Sequence, residues 1–311
     1  MKQQIAIRSV NRSETTGTVK VPATDIVLTT NGIQGDAHAG PWNRQVSLLA
    51  AESIRKYEKN TGVSVPAGGF GENITTEGFP LHHAHPLDRF ICGDVVLELT
   101  QVGKKCHGKG CAIYKDTGEC IMPEEGIFCR VIAGGTLKAG DLFEYVPYTF
   151  RVRVITLSDR ASQGMYPDRS GPEILEVMKQ WFEGKQLKFE TSHEILPDDR
   201  DAFSSELGDA IKHQLDLVFT TGSTGLGPRD IAPDVALKHL DREIPGIMEL
   251  IRVKHGMVNP NAVLSRSIAG QTGKTLMFIL PGSTRAVREY LNEIQPGLWH
   301  MLLMVNGIDS H

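Results

Sequence analysis

The chain has 311 residues, of which 40% are hydrophobic and 23% charged, and its formal net charge is -4. That length favours two compact units, the composition excludes long disorder, and the slightly acidic balance argues against nucleic acid as a partner, since a phosphate backbone needs a basic face. No run approaches the roughly 20 apolar residues that cross a bilayer, and MKQQIAIRSV lacks a signal-peptide core, so the expectation is a cytoplasmic protein with no membrane partner.

In chain order, the first half offers short β-type runs broken by glycine: IAIRSV, DIVLTT, RFICGDVVLELTQVG and GIFCRVIAGGTLKAGDLFEYV. Such runs between Gly and Asp predict a β-rich, barrel-like unit. One helix interrupts it, in SLLAAESIRKYEKNTG, where Leu48, Ala51, Ile54 and Tyr57 recur about once per turn and Gly62 closes the pattern. The three histidines of His82-His83-Ala84-His85 read as a surface loop or a metal-binding cluster. All five cysteines (Cys92, Cys106, Cys111, Cys120, Cys129) lie in this half. An odd number without an export signal disfavours disulfides. The spacing of the last four is loose for structural zinc, and an iron–sulfur site is a further option. Cys106 stands between Lys104, Lys105 and His107, whose charge favours thiolate; an idle or buried thiol is the alternative.

From about Phe150 the pattern becomes α/β, and the boundary is placed at Pro147, giving units 1–147 and 148–311. RVRVITLSD predicts a strand ending at Ser158-Asp159-Arg160. Ser170 and Glu173 form a capping-box pattern with Pro172 in the first turn of EILEVMKQWF. Ile195-Leu196-Pro197-Asp198-Asp199 sets two carboxylates after a short strand; Asp199 is the one expected to cap a helix or face solvent. LDLVFTT and KTLMFIL predict buried strands that run into Thr221-Gly222 and Pro281-Gly282-Ser283, with Ser283 as N-cap of AVREYLNEI and Pro296-Gly297 as its end.

The richest segment is LDLVFTTGSTGLGPRDIAPD. Glycines 222, 225 and 227 after a buried strand let backbone N–H groups approach an anionic ligand, and phosphate is the natural one. The loop matches neither the Walker A order nor the Rossmann order. Read without a ligand, it is a tight connection with Asp230 as a cap and Pro233 starting a helix. If the four strand ends share one sheet edge, hydroxyls, amides and carboxylates converge there. Carboxylates beside a polyphosphate call for a hard cation, so Asp198 and Asp230 together imply Mg²⁺.

VITLSDRASQGMYPDRSGP, ILPDD, TTGSTGLGPRDIAPDVA, REIPGI, LSRSIAG and ILPGS occur in the order of, and resemble, the MogA/MoaB and gephyrin-type molybdopterin adenylyltransferases, over residues 151–303. That resemblance implies an α/β three-layer fold, homo-oligomers that are commonly trimers, and adenylylation of the terminal phosphate of molybdopterin by Mg-ATP. It places catalytic and metal-associated carboxylates at Asp198 and Asp230. Ligand contacts fall at Thr221, Gly222, Ser223, Thr224, Gly225, Ser265, Ser267 and Gly282, to which the convergence of strand ends adds Ser158 and Asp159. The family's TGGTG reads TGSTG here: Ser223 is either strained at positive φ or a further phosphate contact.

GIQGDAHAGPWNRQVSLLA, GGFGENITTEG, FICGDVVLELTQVGKKCHGKGCAIY and GGTLKAGD, spanning residues 32–141, resemble MOSC domains, related to the C-terminal domain of molybdenum cofactor sulfurases. This implies a β-rich fold that handles sulfur or the molybdenum cofactor with a cysteine, here Cys106; Asp36, His38 and Arg44 are candidate anion or pterin contacts, with a structural histidine as the alternative for His38. Other molybdenum cofactor proteins are the implied partners beside the pterin and nucleotide. The rival reading is a carrier or scaffold that holds molybdopterin without turning it over.

Overall fold

The computed structural model describes residues 3–105 and 120–308. It divides the chain into two compact units, Met1–Tyr148 and Thr149–His311. Among the described residues no helix is long and apolar enough to cross a membrane.

The first unit is a closed barrel. Its strands are β1 (Gln3–Arg12), β2 (Val21–Ala23), β3 (Asp25–Thr29), β4 (Gly32–Ile33), β5 (Val46–Ala50), β6 (Ile74–Glu77), β7 (Arg89–Cys92), β8 (Val95–Val102), β9 (Ile127–Ala133), β10 (Gly135–Lys138) and β11 (Leu142–Val146). The order β11-β7-β8-β9-β5-β6-β1 is closed by β1 pairing with β11, Gln3 opposite Tyr145, while β2 extends β1 and β10-β3-β4 form a separate small sheet. Alternate residues such as Ile5, Ile7, Leu97, Leu99, Cys129 and Phe143 fill the interior. Helix α1 (Ala51–Thr61) buries Ile54 and Tyr57 and ends on Gly62 in the left-handed region, at φ 73°. Leu48 is not part of that helix: it lies in β5, all five residues of which are buried. A fully buried strand shows no alternation, so its apolar run merges with the helical periodicity that follows. Helix α2 (Met122–Glu125) is a single turn.

The second unit is a three-layer α/β sandwich. Its elements are β12 (Thr149–Leu157), α3 (Asp159–Ser162), α4 (Ser170–Gly184), β13 (Lys188–Leu196), α5 (Arg200–Lys212), β14 (Leu217–Thr221), α6 (Ala232–Ala236), β15 (Arg242–Glu243), α7 (Pro245–Gly256), β16 (Ile268–Thr272), β17 (Thr275–Leu280) and α8 (Thr284–Val305). The sheet runs β13-β12-β14-β17-β16-β15, its first four strands parallel and the last two antiparallel. Residues of alternate parity face opposite layers. Ile155, Leu157, Val218, Met277 and Ile279 pack on Phe203 and Leu207 of α5 and Val235 of α6. On the other face Phe150 meets Phe182 of α4 and Trp299 of α8 at ring-centroid distances of 5.5 and 6.1 Å.

Two helix boundaries differ from the sequence reading. Ser170 and Glu173 form no capping box: Asp168 accepts the amides of Ser170 (2.9 Å) and Gly171 (3.2 Å), and Glu173 instead pairs with Arg288. A carboxylate is the stronger acceptor for helix-terminal N–H groups and complements the dipole there. Helix α8 is capped by Ser283, whose Oγ accepts from Ala286 N at 3.2 Å, but it runs through Pro296 to Val305. Leu291 and Ile294 before the proline and Leu298 and Leu302 after it are all buried, and packing of that shared face offsets the missing N–H.

Candidate functional site

Register puts the carboxyl ends of the four parallel strands on one edge, with Leu157 opposite Leu196, Thr156 opposite Thr221, and Thr221 opposite Leu280. In an open parallel sheet this edge is where ligands bind. The chain leaves each strand through a loop carrying a hydroxyl, a carboxylate or a glycine. Gly222, at φ 98°, comes so close to β12 that a Cβ would lie 2.3 Å from the carbonyl oxygen of Leu157; a Cβ on Gly282 would lie 3.2 Å from the Cα of Gly222. The first requires glycine; the second would demand a small shift. Thr221 Oγ1 donates to the carbonyl of Pro281 at 2.8 Å, closing β14 onto the loop after β17.

The carboxylates form a linked set. Asp198 and Asp159 bond each other's backbone: Asp159 N donates to Asp198 Oδ2 (3.2 Å) and Asp198 N to Asp159 Oδ1 (3.0 Å). Arg229 donates to Asp159 at 2.6 Å and holds that carboxyl below the usual range. The other oxygen of Asp198, Oδ1, is buried and has no hydrogen-bond partner. Asp230 is held inside the glycine loop: its Oδ2 accepts from Gly227 N at 2.7 Å, and Cβ atoms on Gly225 or Gly227 would lie 2.7 and 2.9 Å from that oxygen. Asp199 lies apart, capping α5 through the amides of Asp201 (3.1 Å) and Ala202 (2.9 Å).

Arg266 is the organiser that sequence reasoning passed over. Set between Ser265 and Ser267, it donates from its backbone N to Thr224 O (3.0 Å), from Nε to Gly225 O (2.8 Å), from Nη2 to Asp230 O (2.5 Å) and from Nη1 to Asp234 Oδ1 (2.8 Å). One planar fork thus ties both ends of the glycine loop to the Ser265–Ser267 segment, where the two hydroxyls are 2.8 Å apart. The available signal was an arginine inside a serine-rich motif. Asp168 was also missed. Burial opposes its ionisation, yet donation from Thr156 Oγ1 (2.6 Å), Ser170 and Gly171 outweighs it and lowers the pKa; His193 Nε2 lies 3.1 Å away. Ser158 spends its hydroxyl locally, accepting from Ala161 N at 3.2 Å as the N-cap of α3, with Tyr166 Oη 3.3 Å away.

Of the sequence-derived set, Asp159 and Asp198 are bonded to each other, Arg266 ties Thr224, Gly225 and Asp230 to the Ser265–Ser267 segment, and Thr221, Gly222 and Gly282 meet where β14 and β17 end, whereas the hydroxyl of Ser158 serves its own helix. Cys106, Cys111 and His107 lie outside the described residues. Among the described residues no three His, Cys, Asp or Glu side chains are grouped to hold a metal. Cys129 is buried in β9, and burial pushes its thiol well up.

The barrel has its own cavity, of about 220 Å³, whose lining includes Thr18, His38, Arg44, Asn73, Lys104 and Phe128. Beneath it Asp36 and Lys20 form a buried pair at 2.5 Å, with side chains 0% and 1% exposed. Asp36 also accepts from Asn73 Nδ2 (2.9 Å), Ser13 N (3.1 Å) and His38 N (2.9 Å). Burial opposes its charge, but hydrogen bonds from His38 and Lys20 prevail and its pKa is lowered. Burial also lowers that of Lys20, against the pull of Asp36.

A glycine loop and carboxylates at the strand ends of a mostly parallel α/β sheet make the arrangement at which such proteins bind small ligands. Residues 153–300 match the family model of a probable molybdopterin binding domain, and residues 35–144 that of the MOSC domain. A molybdopterin adenylyltransferase of Helicobacter pylori is 36% identical over 160 residues, covering 51% of this chain and 89% of that protein. Gephyrin of Dictyostelium discoideum is 35% identical over 162 residues, covering 50% of this chain but only 22% of gephyrin. The solved MoaB of Thermus thermophilus, 38% identical, covers 51% of this chain and 97% of its own, with a TM-score of 0.46. Through its second unit the chain belongs to the molybdopterin adenylyltransferase family of molybdenum cofactor biosynthesis, and its first unit carries a MOSC domain.

Proposed function

We propose that the second unit transfers an adenylyl group from Mg-ATP to the terminal phosphate of molybdopterin. The observation that carries this reading is the buried, unpartnered Oδ1 of Asp198, beside a glycine loop that encloses a second carboxylate, Asp230. An orphaned buried carboxylate oxygen costs free energy unless a cation or donor meets it, and an all-oxygen donor set suits Mg²⁺. Mg²⁺, held by Asp198 and Asp230, would supply charge neutralisation for the polyphosphate.

The remaining work falls to the chain itself. A pterin phosphate is already a nucleophile at neutral pH, so the site must orient rather than deprotonate. An oxygen of that phosphate bonds to the α-phosphorus of ATP, the bond from α-phosphorus to the bridging oxygen breaks, and pyrophosphate leaves. The Gly222 amide is spent on the carbonyl of Leu280 at 3.1 Å, so the amides of Ser223, Thr224 and Gly225 are the ones that face the phosphoryl groups, and Arg229, exposed and paired with Asp159, lies within the loop that encloses them. Exposed Leu250, Val253, Met257 and Val258, on and just beyond α7, support the homo-oligomer, with a trimer as the expected state. For the MOSC domain, the cavity with Arg44, Lys104 and His38 supports a site for an anionic group of the molybdenum cofactor or of a sulfur donor.

The test is a mass-resolved assay of purified protein with molybdopterin, ATP and Mg²⁺. Adenylylated molybdopterin and one pyrophosphate per turnover are the expected products. Tight binding of molybdopterin with no such product would establish the carrier reading instead.

A further inference from the structure

Asp230 is held from both sides by Ser223, the residue that stands where the adenylyltransferase pattern has glycine. Ser223 adopts φ 57°, in the left-handed region. Its hydroxyl donates to the carbonyl of Arg229 at 2.9 Å and accepts from the amide of Ile231 at 2.9 Å. Those are the groups immediately before and after Asp230. The backbone carbonyl of Ser223 accepts a further bond from Ala232 N at 3.0 Å, and Arg266 takes the carbonyl of Asp230 itself at 2.5 Å. One hydroxyl therefore closes the loop that starts at the strand end and returns at Asp230. With one proton donated and one N–H accepted, it is committed within the loop.

We propose that Ser223 is a positioning residue for Asp230 and that its hydroxyl makes no phosphate contact: in this chain the loop is preset by a side-chain bracket that glycine cannot supply. This rests on the reading of Asp230 as a cation-holding carboxylate. The left-handed backbone costs serine more than glycine, and the two hydrogen bonds offset that cost. Alanine would keep the unfavourable backbone and lose the bracket, whereas glycine would lose the bracket and relax the backbone. The pair of variants thus separates the two effects.

The experiment compares the full-length chain with Ser223→Ala and Ser223→Gly by three readouts. These are hydrogen exchange at the Ile231 amide, Mn²⁺ binding followed by electron paramagnetic resonance, and the KM for ATP. Loss of the bracket should speed Ile231 exchange at least about tenfold in both variants and weaken Mn²⁺ binding about three- to tenfold, with kcat falling and the KM for ATP little changed. Ser223→Gly should melt no lower than Ser223→Ala. The proposal is overturned by unchanged Ile231 exchange. A rise in the KM for ATP with unchanged Mn²⁺ binding overturns it too, because that pattern marks a phosphate contact. A wild-type protein that bound no Mn²⁺ and released no pyrophosphate would defeat the adenylylation reading, whereas faster Ile231 exchange in both variants of such a protein would still establish the bracket.

Discussion

Replacing Arg266 by lysine tests whether the glycine loop is built by that guanidinium. In the native chain Nε and Nη2 reach two loop carbonyls, Gly225 O at 2.8 Å and Asp230 O at 2.5 Å, while Nη1 reaches Asp234 at 2.8 Å. An ammonium is a point charge at the end of a flexible stem; it can keep Asp234 or one carbonyl but cannot span all three. The Asp234 pair is partly exposed on both sides, so it contributes about 1 kcal/mol at most. The two carbonyl bonds come from a charged donor, worth about 1.5–3 kcal/mol each, and the side chain is 32% exposed, so water recovers part of that. A loss of about 2–3 kcal/mol in holding the loop follows, or a fall of about 30- to 150-fold in kcat/KM if the reaction needs the loop in place. Steady-state adenylylation and hydrogen exchange at the Ile231 and Ala232 amides measure the two halves of the argument. Faster exchange with an unchanged rate would show that the loop does not hold the reacting groups. No change in either would show that Arg266 is not its clamp.

Asp198→Asn and Asp230→Asn should each slow adenylyl transfer at least about tenfold while melting curves stay near wild type; wild-type rates in both would remove the site from the strand ends. Asp36→Asn should destabilise the barrel unit by about 3–5 kcal/mol, because it leaves the Lys20 charge buried without a partner, and calorimetry of the full chain reads this as a lowered transition. The native carboxyl of Asp36 has a lowered pKa, so its contribution is complete above the ordinary aspartate value of about 3.9 and is lost as pH falls through the lowered native value; an acid titration of stability that stayed flat below about pH 4 would contradict this. Residues 149–311 expressed alone should fold and adenylylate molybdopterin, and activity that demanded the barrel in the same chain would refute this. Under brief alkylation Cys129 should react slowly, its thiol pushed up by burial, and Cys106 with its lysine neighbours faster; peptide mapping that ranked Cys106 slowest would end the reactive-thiol idea.

Local chemistry settled more of this protein than tertiary packing did. Strands β1, β3, β7 to β11, β12, β14 and β17, the left-handed stop at Gly62 and the Ser283 cap were legible because each depends on residues within about one turn of itself. The order of motifs along residues 151–303 likewise carried the family. What sequence alone could not decide were features that depend on distant residues. Leu48 joined a buried strand because the barrel interior covers one face of β5 while Ile54, Tyr57 and Phe70 cover the other, and α8 continued through Pro296 because packing buries an apolar face on either side of it. Asp168 took the cap that Ser170 seemed to offer, from two residues upstream, with Thr156 of β12 steadying the same carboxylate. At the site, the sequence named the carboxylates and the glycines but left Ser223 open between strain and contact. The fold answered with both a positive φ and an occupied hydroxyl, since only the returning chain at Arg229 and Ile231 brings the partners that make serine tolerable there. Sequence spacing reports which groups are present; whether a hydroxyl is free or spent depends on chain segments that meet only after the sheet has formed.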